Sequence, residues 1–382
     1  MDGSQVSRIQ NATIDETAKA PRAPTEAEWS TTIDFLTRNL RPGISGTIAD
    51  EYPLSLGRSQ RHNMRVIVDD GQIIAHAVMK PIVVKTPIGV FKVAGLGSVV
   101  TSENNRNQGH STRIIESCLS AAKDADCDLA ILWTDLFDFY RRMGFELAGS
   151  EVSVLIDRDL TNGAATPTFK FVDSSKIAPD ALLRLFQQHS VSSHRTTDEI
   201  RALLSIPNSR VSTAWDASGK MVAYAIEGKG ADLDGYVHEW GGSSSSLVAL
   251  LSHMRATQKR DLRLIAPGHA HNLIAKLESQ GCEVHRGYLG MVKIINAESF
   301  FAKIHRQARA LGISDLVLED SGGVFKFGRG KNIYSTSSAT DLVKLLLGPE
   351  KPTALHSFDP ATSNAFEQVL PIRLWIWGWD SV

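Results

Sequence analysis

Residues 106–112, Arg106-Asn107-Gln108-Gly109-His110-Ser111-Thr112, decide how this chain is read. Before them, residues 91–101 form an extended run in which Val93, Val99 and Val100 supply the β-branched side chains that suit a strand. After them, Ile114, Ile115, Cys118, Leu119 and Ala122 return with a period near 3.6, which predicts a helix. A polar loop that ends in Gly and opens into a helix leaves backbone N–H groups unpaired at the helix start. The helix dipole adds partial positive charge there, so the site suits a phosphate or pyrophosphate. Gly109 lets the main chain come close to such an anion, Ser111 and Thr112 add hydroxyl donors, and Arg106 adds charge.

Further along, Leu129-Ala130-Ile131-Leu132-Trp133 reads as a buried strand, and Asp138-Phe139-Tyr140-Arg141-Arg142-Met143-Gly144-Phe145 as a short helix ended by Gly. Here the residues carry a resemblance. Arg-x-x-Gly-x-Ser at 106–111 resembles the acetyl-CoA pyrophosphate loop of the GNAT acetyltransferases, and 139–145 resembles that family's Phe-Tyr-x-x-x-Gly-Phe segment at the expected distance. The resemblance implies that Asn107, Gln108, Gly109, His110, Ser111 and Thr112 surround the pyrophosphate with Arg106. It implies that Val99, Val100 and Thr101 hold the pantetheine arm in strand fashion. It also implies that Asp135 and Leu136 line the acetyl-CoA channel and that Tyr140 is the general acid.

The chain has 382 residues, a formal net charge of −1 and 42% hydrophobic residues, enough for two or three domains with ordinary cores. Near-neutral charge leaves no electrostatic footprint for nucleic acid or an anionic membrane surface. Cys118, Cys127 and Cys282 fall in helix or strand patterns and read as reduced core thiols of a cytoplasmic protein. His269-Ala270-His271 and Cys282 with His285 lack a paired zinc spacing, so no metal is predicted. Gly95-Leu96-Gly97 runs on into Ser-Val-Val-Thr, a strand, which argues against a dinucleotide-binding turn.

In chain order, residues 1–28 read as a polar flexible arm, and helices and strands from Trp29 to 160 as the first domain, closed by a strand at 151–156. Residues 161–168 are small, polar and turn-prone and mark a boundary. From 168 to 295 the order of elements repeats, and Glu278-Ser279-Gln280-Gly281-Cys282 echoes Arg141-Arg142-Met143-Gly144-Phe145. Four residues before the capping glycine the first block has Tyr140 and the second Leu277, so the second block reads as a degenerate copy without the chemistry. Residues 296–382 form a third, smaller part, and Trp375, Trp377 and Trp379 at alternate positions predict a packed C-terminal strand.

The fold class expected is α/β with mixed sheets: two tandem GNAT-like domains followed by a small α+β domain. That order resembles the enhanced-intracellular-survival (Eis) acetyltransferases, whose third domain is sterol-carrier-protein-like. The resemblance implies acetyl-CoA as co-substrate and a primary amine as acceptor, an aminoglycoside, a polyamine or a lysine-like side chain. It further implies direct transfer in a ternary complex, homo-oligomers, and a terminal carboxylate, here that of Val382, acting as base in the first domain. Nucleic-acid and membrane partners are not expected. The alternative reading is a non-catalytic acyl-CoA-binding sensor or interaction protein.

Overall fold

The computed structural model describes residues 20–160 and 168–382 and shows a mixed α/β protein. Residues 1–19 of the expected arm and 161–167 of the expected boundary lie outside the described residues. Among the described residues the chain divides into two units, the first holding 20–81, 95–125 and Val382, and the second holding 82–94, 126–160 and 168–381.

In the first unit the chain is ordered before Trp29. Arg22 and Val66 exchange backbone hydrogen bonds of 3.0 and 2.8 Å, and Arg22 pairs with Glu28. The helix α1 (Trp29–Leu40) buries Ile33, Phe35 and Leu36 on one face. These join Ile48, Leu56, Met64, Val66, Ile73 and Val78 in one core cluster. Strands β1 (Met64–Asp69), β2 (Gln72–Thr86) and β3 (Gly89–Thr101) are successive neighbours, with β1 and β2 antiparallel from Met64↔Val78 to Asp69↔Gln72. Helix α2 (His110–Asp124) follows and turns Ile114, Ile115, Cys118 and Ala122 inward, the 3.6-period face read from the sequence.

In the second unit β4 (Leu129–Leu132), buried throughout, leads to the short helix α3 (Phe137–Arg141) and β5 (Glu146–Ala148). Next come β6 (Glu151–Ile156), β7 (Lys170–Asp173), β8 (Ser192–Ser193), β9 (Arg210–Trp215), β10 (Met221–Lys229), β11 (Asp232–Gly242), β12 (Leu262–Pro267), β13 (Glu283–Gly287) and β14 (Gly290–Ile294). A seven-stranded sheet runs β13-β6-β12-β11-β10-β9-β7, in which only the β11–β12 neighbours are parallel.

The strand expected to close the first domain therefore sits elsewhere. β6 pairs with β12 and β13 of the second block, while β14, from the end of that block, pairs with β4 and β5 of the first. The second block also lends β8, which pairs with β2 at Val84↔Ser193 and Lys85↔Ser192. The alternating burial of β6 marks it as a strand with one apolar face, yet a period of two says nothing about which neighbour supplies its ladder.

The last part contains helix α4 (Ala297–Ala310), the antiparallel sheet β15 (Leu316–Asp320), β16 (Phe325–Arg329) and β17 (Asn332–Thr336), then helices α5 (Ala339–Leu347) and α6 (Pro360–Val369). The tail after Leu370 corrects another expectation: it is packed but is not a strand. Trp375, Trp377 and Trp379 are at most 2% exposed, and residues 372–377 join no sheet. Their alternate spacing serves ring packing: Trp377 lies edge-on to Trp375 and to Trp240, with ring centroids 5.9 and 5.2 Å away.

Candidate active site

The loop at 106–109 is exposed and the helix behind it is anchored, an arrangement set by two residues with positive φ. Asn107 (φ 62°) and Gly109 (φ 80°) turn the chain sharply, and Gly109 becomes the N-cap of α2. No side chain caps that helix start, and a Cβ on Gly109 would meet nothing within 4 Å. The helix start at Gly109 therefore lies beside the exposed Arg106 with no side chain capping it, which is where an anion is best stabilised. The hydroxyl of Thr101, at the end of β3, lies 2.9 Å from that of Ser111, and Arg106 Nε donates weakly to Thr101 O at 3.5 Å. These contacts tie the loop to the strand. The residues present fit a pyrophosphate held by backbone amides and one guanidinium. His110 itself is buried and packs inward.

Along β3, Val100 packs on the core cluster, so the neighbouring Val99 belongs to the opposite face. Just before it the strand is distorted: Ser98 has φ 48°, and its carbonyl accepts a 2.9 Å hydrogen bond from Nδ1 of His76 on β2. His76 is fully buried, and burial holds its pKa down at about 4, so the imidazole is neutral and Nδ1 carries the proton this bond needs.

The terminal residue arrives at the same place. A Cβ on Gly97 would stand 2.5 Å from the main-chain oxygen of Val382 and 3.0 Å from its Cβ, so Val382 rests on the bare backbone of Gly97. The sequence carries one sign of this, a glycine inside a strand, which is used where another backbone approaches closely. Gly97, Ser98 and His76 are site residues that the motifs alone do not reveal.

Thus Val99, Val100, Thr101, the loop 106–112 and Val382 all belong to the first unit. Asp135, Leu136 and Tyr140 belong to the second. There Asp135 and Leu136 are exposed, Leu136 by 66%. Tyr140 is 6% exposed on α3, edge-on to Phe139 and Phe145 at 4.9 and 5.8 Å, and burial pushes its pKa up to about 12. Its carbonyl accepts from Phe145 N at 3.1 Å as Gly144 (φ 83°) ends the helix.

The second block repeats that turn around a different residue: Cys282 N donates to Leu277 O at 3.2 Å, with Gly281 at φ 82°. It also closes what the first block leaves open. Ser243 caps the helix Ser244–Gln258 by accepting from Ser246 N. β11 and β12 pair over only two residues, and beyond them the Trp240 indole donates to Ile265 O at 3.0 Å, spanning the two strands as they part. Among the described residues, no group of three or more His, Cys, Asp or Glu is placed to hold a metal ion, and no helix is long and apolar enough to cross a membrane.

Comparisons with known proteins agree with this geometry. Residues 22–148 match the acetyltransferase (GNAT) domain family. No curated protein matches the chain. Among solved structures it is similar to a probable N-acyltransferase from Enterococcus faecalis, with TM-score 0.63 and 15% identity, covering 93% of this chain and 97% of that one. A GCN5-related N-acetyltransferase from Anabaena variabilis gives TM-score 0.63 and 14% identity over 95% and 99% of the two chains. Eis1 from Mycobacterium abscessus gives TM-score 0.60 and 14% identity over 94% and 97%. The protein is an acetyltransferase that carries a GNAT domain at residues 22–148 and shares the fold of these structures over most of its length.

Proposed function

We propose that this acetyltransferase is an N-acetyltransferase that moves the acetyl group of acetyl-CoA onto a primary amine, directly, with both substrates bound. The observation that carries the proposal is that one unit holds both an uncapped helix start at Gly109 and Val382, laid against β3 at Gly97, whose carboxylate this reading takes as terminal. The first is an anion cradle and the second a proton acceptor.

When bound, acetyl-CoA supplies an acyl group activated as a thioester. Arg106 and the amides from Asn107 to Thr112 hold the pyrophosphate, and the backbone of Val99, Val100 and Thr101 carries the pantetheine arm alongside β3. Asp135 and Leu136 line the channel. The Val382 carboxylate accepts the proton that the incoming ammonium must lose before its nitrogen can attack. Tyr140 keeps a proton available for the leaving sulfur. Its raised pKa keeps the phenol protonated at neutral pH, so transfer is favourable only toward a thiolate that is itself desolvated.

The acceptor is a cationic amine of the aminoglycoside, polyamine or lysine-like kind. The exposed carboxylates of Asp135 and Asp138, on either side of exposed Leu136 and Phe137, support a surface that attracts such cations. Residues 296–382 correspond on this reading to the sterol-carrier-like part of the Eis proteins, reduced to the β15–β17 sheet and its helices. The enzyme acts in the cytoplasm.

The test follows thiol release from acetyl-CoA with a panel of aminoglycosides, polyamines and lysine peptides, with product masses measured. Amine-dependent release with a gain of one acetyl group is expected. Tight CoA binding by calorimetry with no transfer to any amine would contradict this reading and favour the sensor alternative.

A further inference from the structure

The second block keeps an opening of its own. A cavity of about 350 Å³ lies where the helices Ser244–Gln258 and His271–Glu278 begin, and its lining belongs wholly to the second unit. That volume suits a small molecule. His189, His269, His271 and Asn272 line it, with Trp240 and Leu247 as apolar walls. Among the described residues, no carboxylate lines it.

His189 is fixed in place: its Nε2 donates to Trp240 O at 2.8 Å, and its ring centre lies 4.3 Å from that of Trp377. Burial holds its pKa down at about 4, and the charges of Arg195 and Lys85 push the same way. Burial likewise holds His269 at about 4, with Arg373, His271 and His189 adding to the push. The charged neighbours acting on these two rings are all basic groups. Of these, Arg195 is committed elsewhere. It binds Glu239 and Asp380 and so anchors the tail, together with Lys229, which donates to Gly378 O and Ser381 O at 3.0 and 2.8 Å. Lys85 and the exposed Arg373 remain to favour negative charge in the cavity. The helix His271–Glu278 has no side-chain cap, and its dipole acts in the same sense.

Two other occupants fit less well. Three imidazoles in one cavity suggest a metal, yet among the described residues no group of three or more His, Cys, Asp or Glu is placed to hold one. Coenzyme A would need an open helix start and an open strand gap. Ser243 caps the first and the Trp240 indole spans the second.

We propose that this cavity is a binding site for a small organic anion, whose carboxylate or phosphate group is held by His269, His271 and Asn272 and whose apolar part lies against Trp240 and Leu247. The second block is then a ligand-binding module that lost the pyrophosphate cradle and kept a pocket beside it.

The experiment is calorimetry on the full chain with benzoate, phenyl phosphate and, as a cationic counterpart, phenethylamine. Saturable one-to-one binding of benzoate or phenyl phosphate is expected, and the tighter of the two identifies the anionic group. His269→Leu, and His271→Ala at an exposed side chain that the fold does not need, are expected to weaken it about tenfold or more, the scale of one hydrogen bond to a charged group. Arg106→Ala is expected to change it by less than about twofold, which separates this cavity from the loop of the first unit. If His269→Leu does not fold, His271→Ala carries the test alone.

No saturable binding of either anion, wild-type affinity in the folded histidine variants, or tighter binding of phenethylamine would overturn the proposal. Loss in Arg106→Ala with none in His271→Ala would overturn it too, by placing the anion in the first unit.

Discussion

Replacing Arg195 by leucine is expected to lower the unfolding free energy by about 3–5 kcal/mol, the range for breaking a buried ion pair by removing one partner. Burial opposes the charge on Arg195, but the carboxylates of Asp380 and Glu239 outweigh it, and the pKa is pushed up, so the guanidinium stays charged. Without it, Glu239 and Asp380 are left as two acidic groups in a site where neither side chain is more than 3% exposed. The loss falls where the second block meets the tail, so chemical denaturation followed by tryptophan fluorescence reads it directly. Trp377 and Trp379 are both buried in that region. A change below about 1 kcal/mol, the size of an exposed ion pair, would show that the cluster is not the anchor described.

Tyr140→Phe is expected to lower kcat by about 100-fold or more, the usual contribution of a positioned general acid, with the fold and the KM for acetyl-CoA preserved. The substitution removes one oxygen from a ring held edge-on by Phe139 and Phe145, so packing is retained. The sign of the pH dependence follows from burial. A phenol whose pKa is pushed up to about 12 is protonated, and therefore competent, at every pH below that value, so kcat shows no alkaline fall from this group up to about pH 10. Steady-state kinetics with and without the hydroxyl, from pH 6 to 10, check both points. Retained kcat in the phenylalanine variant would remove Tyr140 from the chemistry.

Much of this was legible in the residues and some of it was not, for physical reasons. Helix α2 and its loop could be read because period, glycine and polar donors are local signals over a few residues. The repeat of a glycine-ended helix turn was legible for the same reason, and the structure shows the matching backbone bonds at Tyr140 and Leu277. Strand exchange was not, because β6 and β14 have the pattern of ordinary strands and pairing is decided by partners far along the chain. The tail misled because bulky rings at alternate positions look alike on a pleated strand and on an irregular segment buried among other rings. Helix α6 carries a local mark of its start, an Asp359 cap with Pro360 at the first position. Arg195, Lys229 and Glu239 have no such mark, since an isolated charged residue reads as surface until the fold buries it.

The most direct test of the central claim, that the chain end completes the active site, appends a single glycine after Val382. The addition moves the terminal carboxylate by about 3.5 Å along the chain and leaves the loop at Arg106–Thr112 untouched. Calorimetry is expected to show unchanged CoA binding, while kcat for acetyl transfer falls about 100-fold, as for a reacting group displaced beyond hydrogen-bond reach. Wild-type turnover in the extended protein would contradict the account.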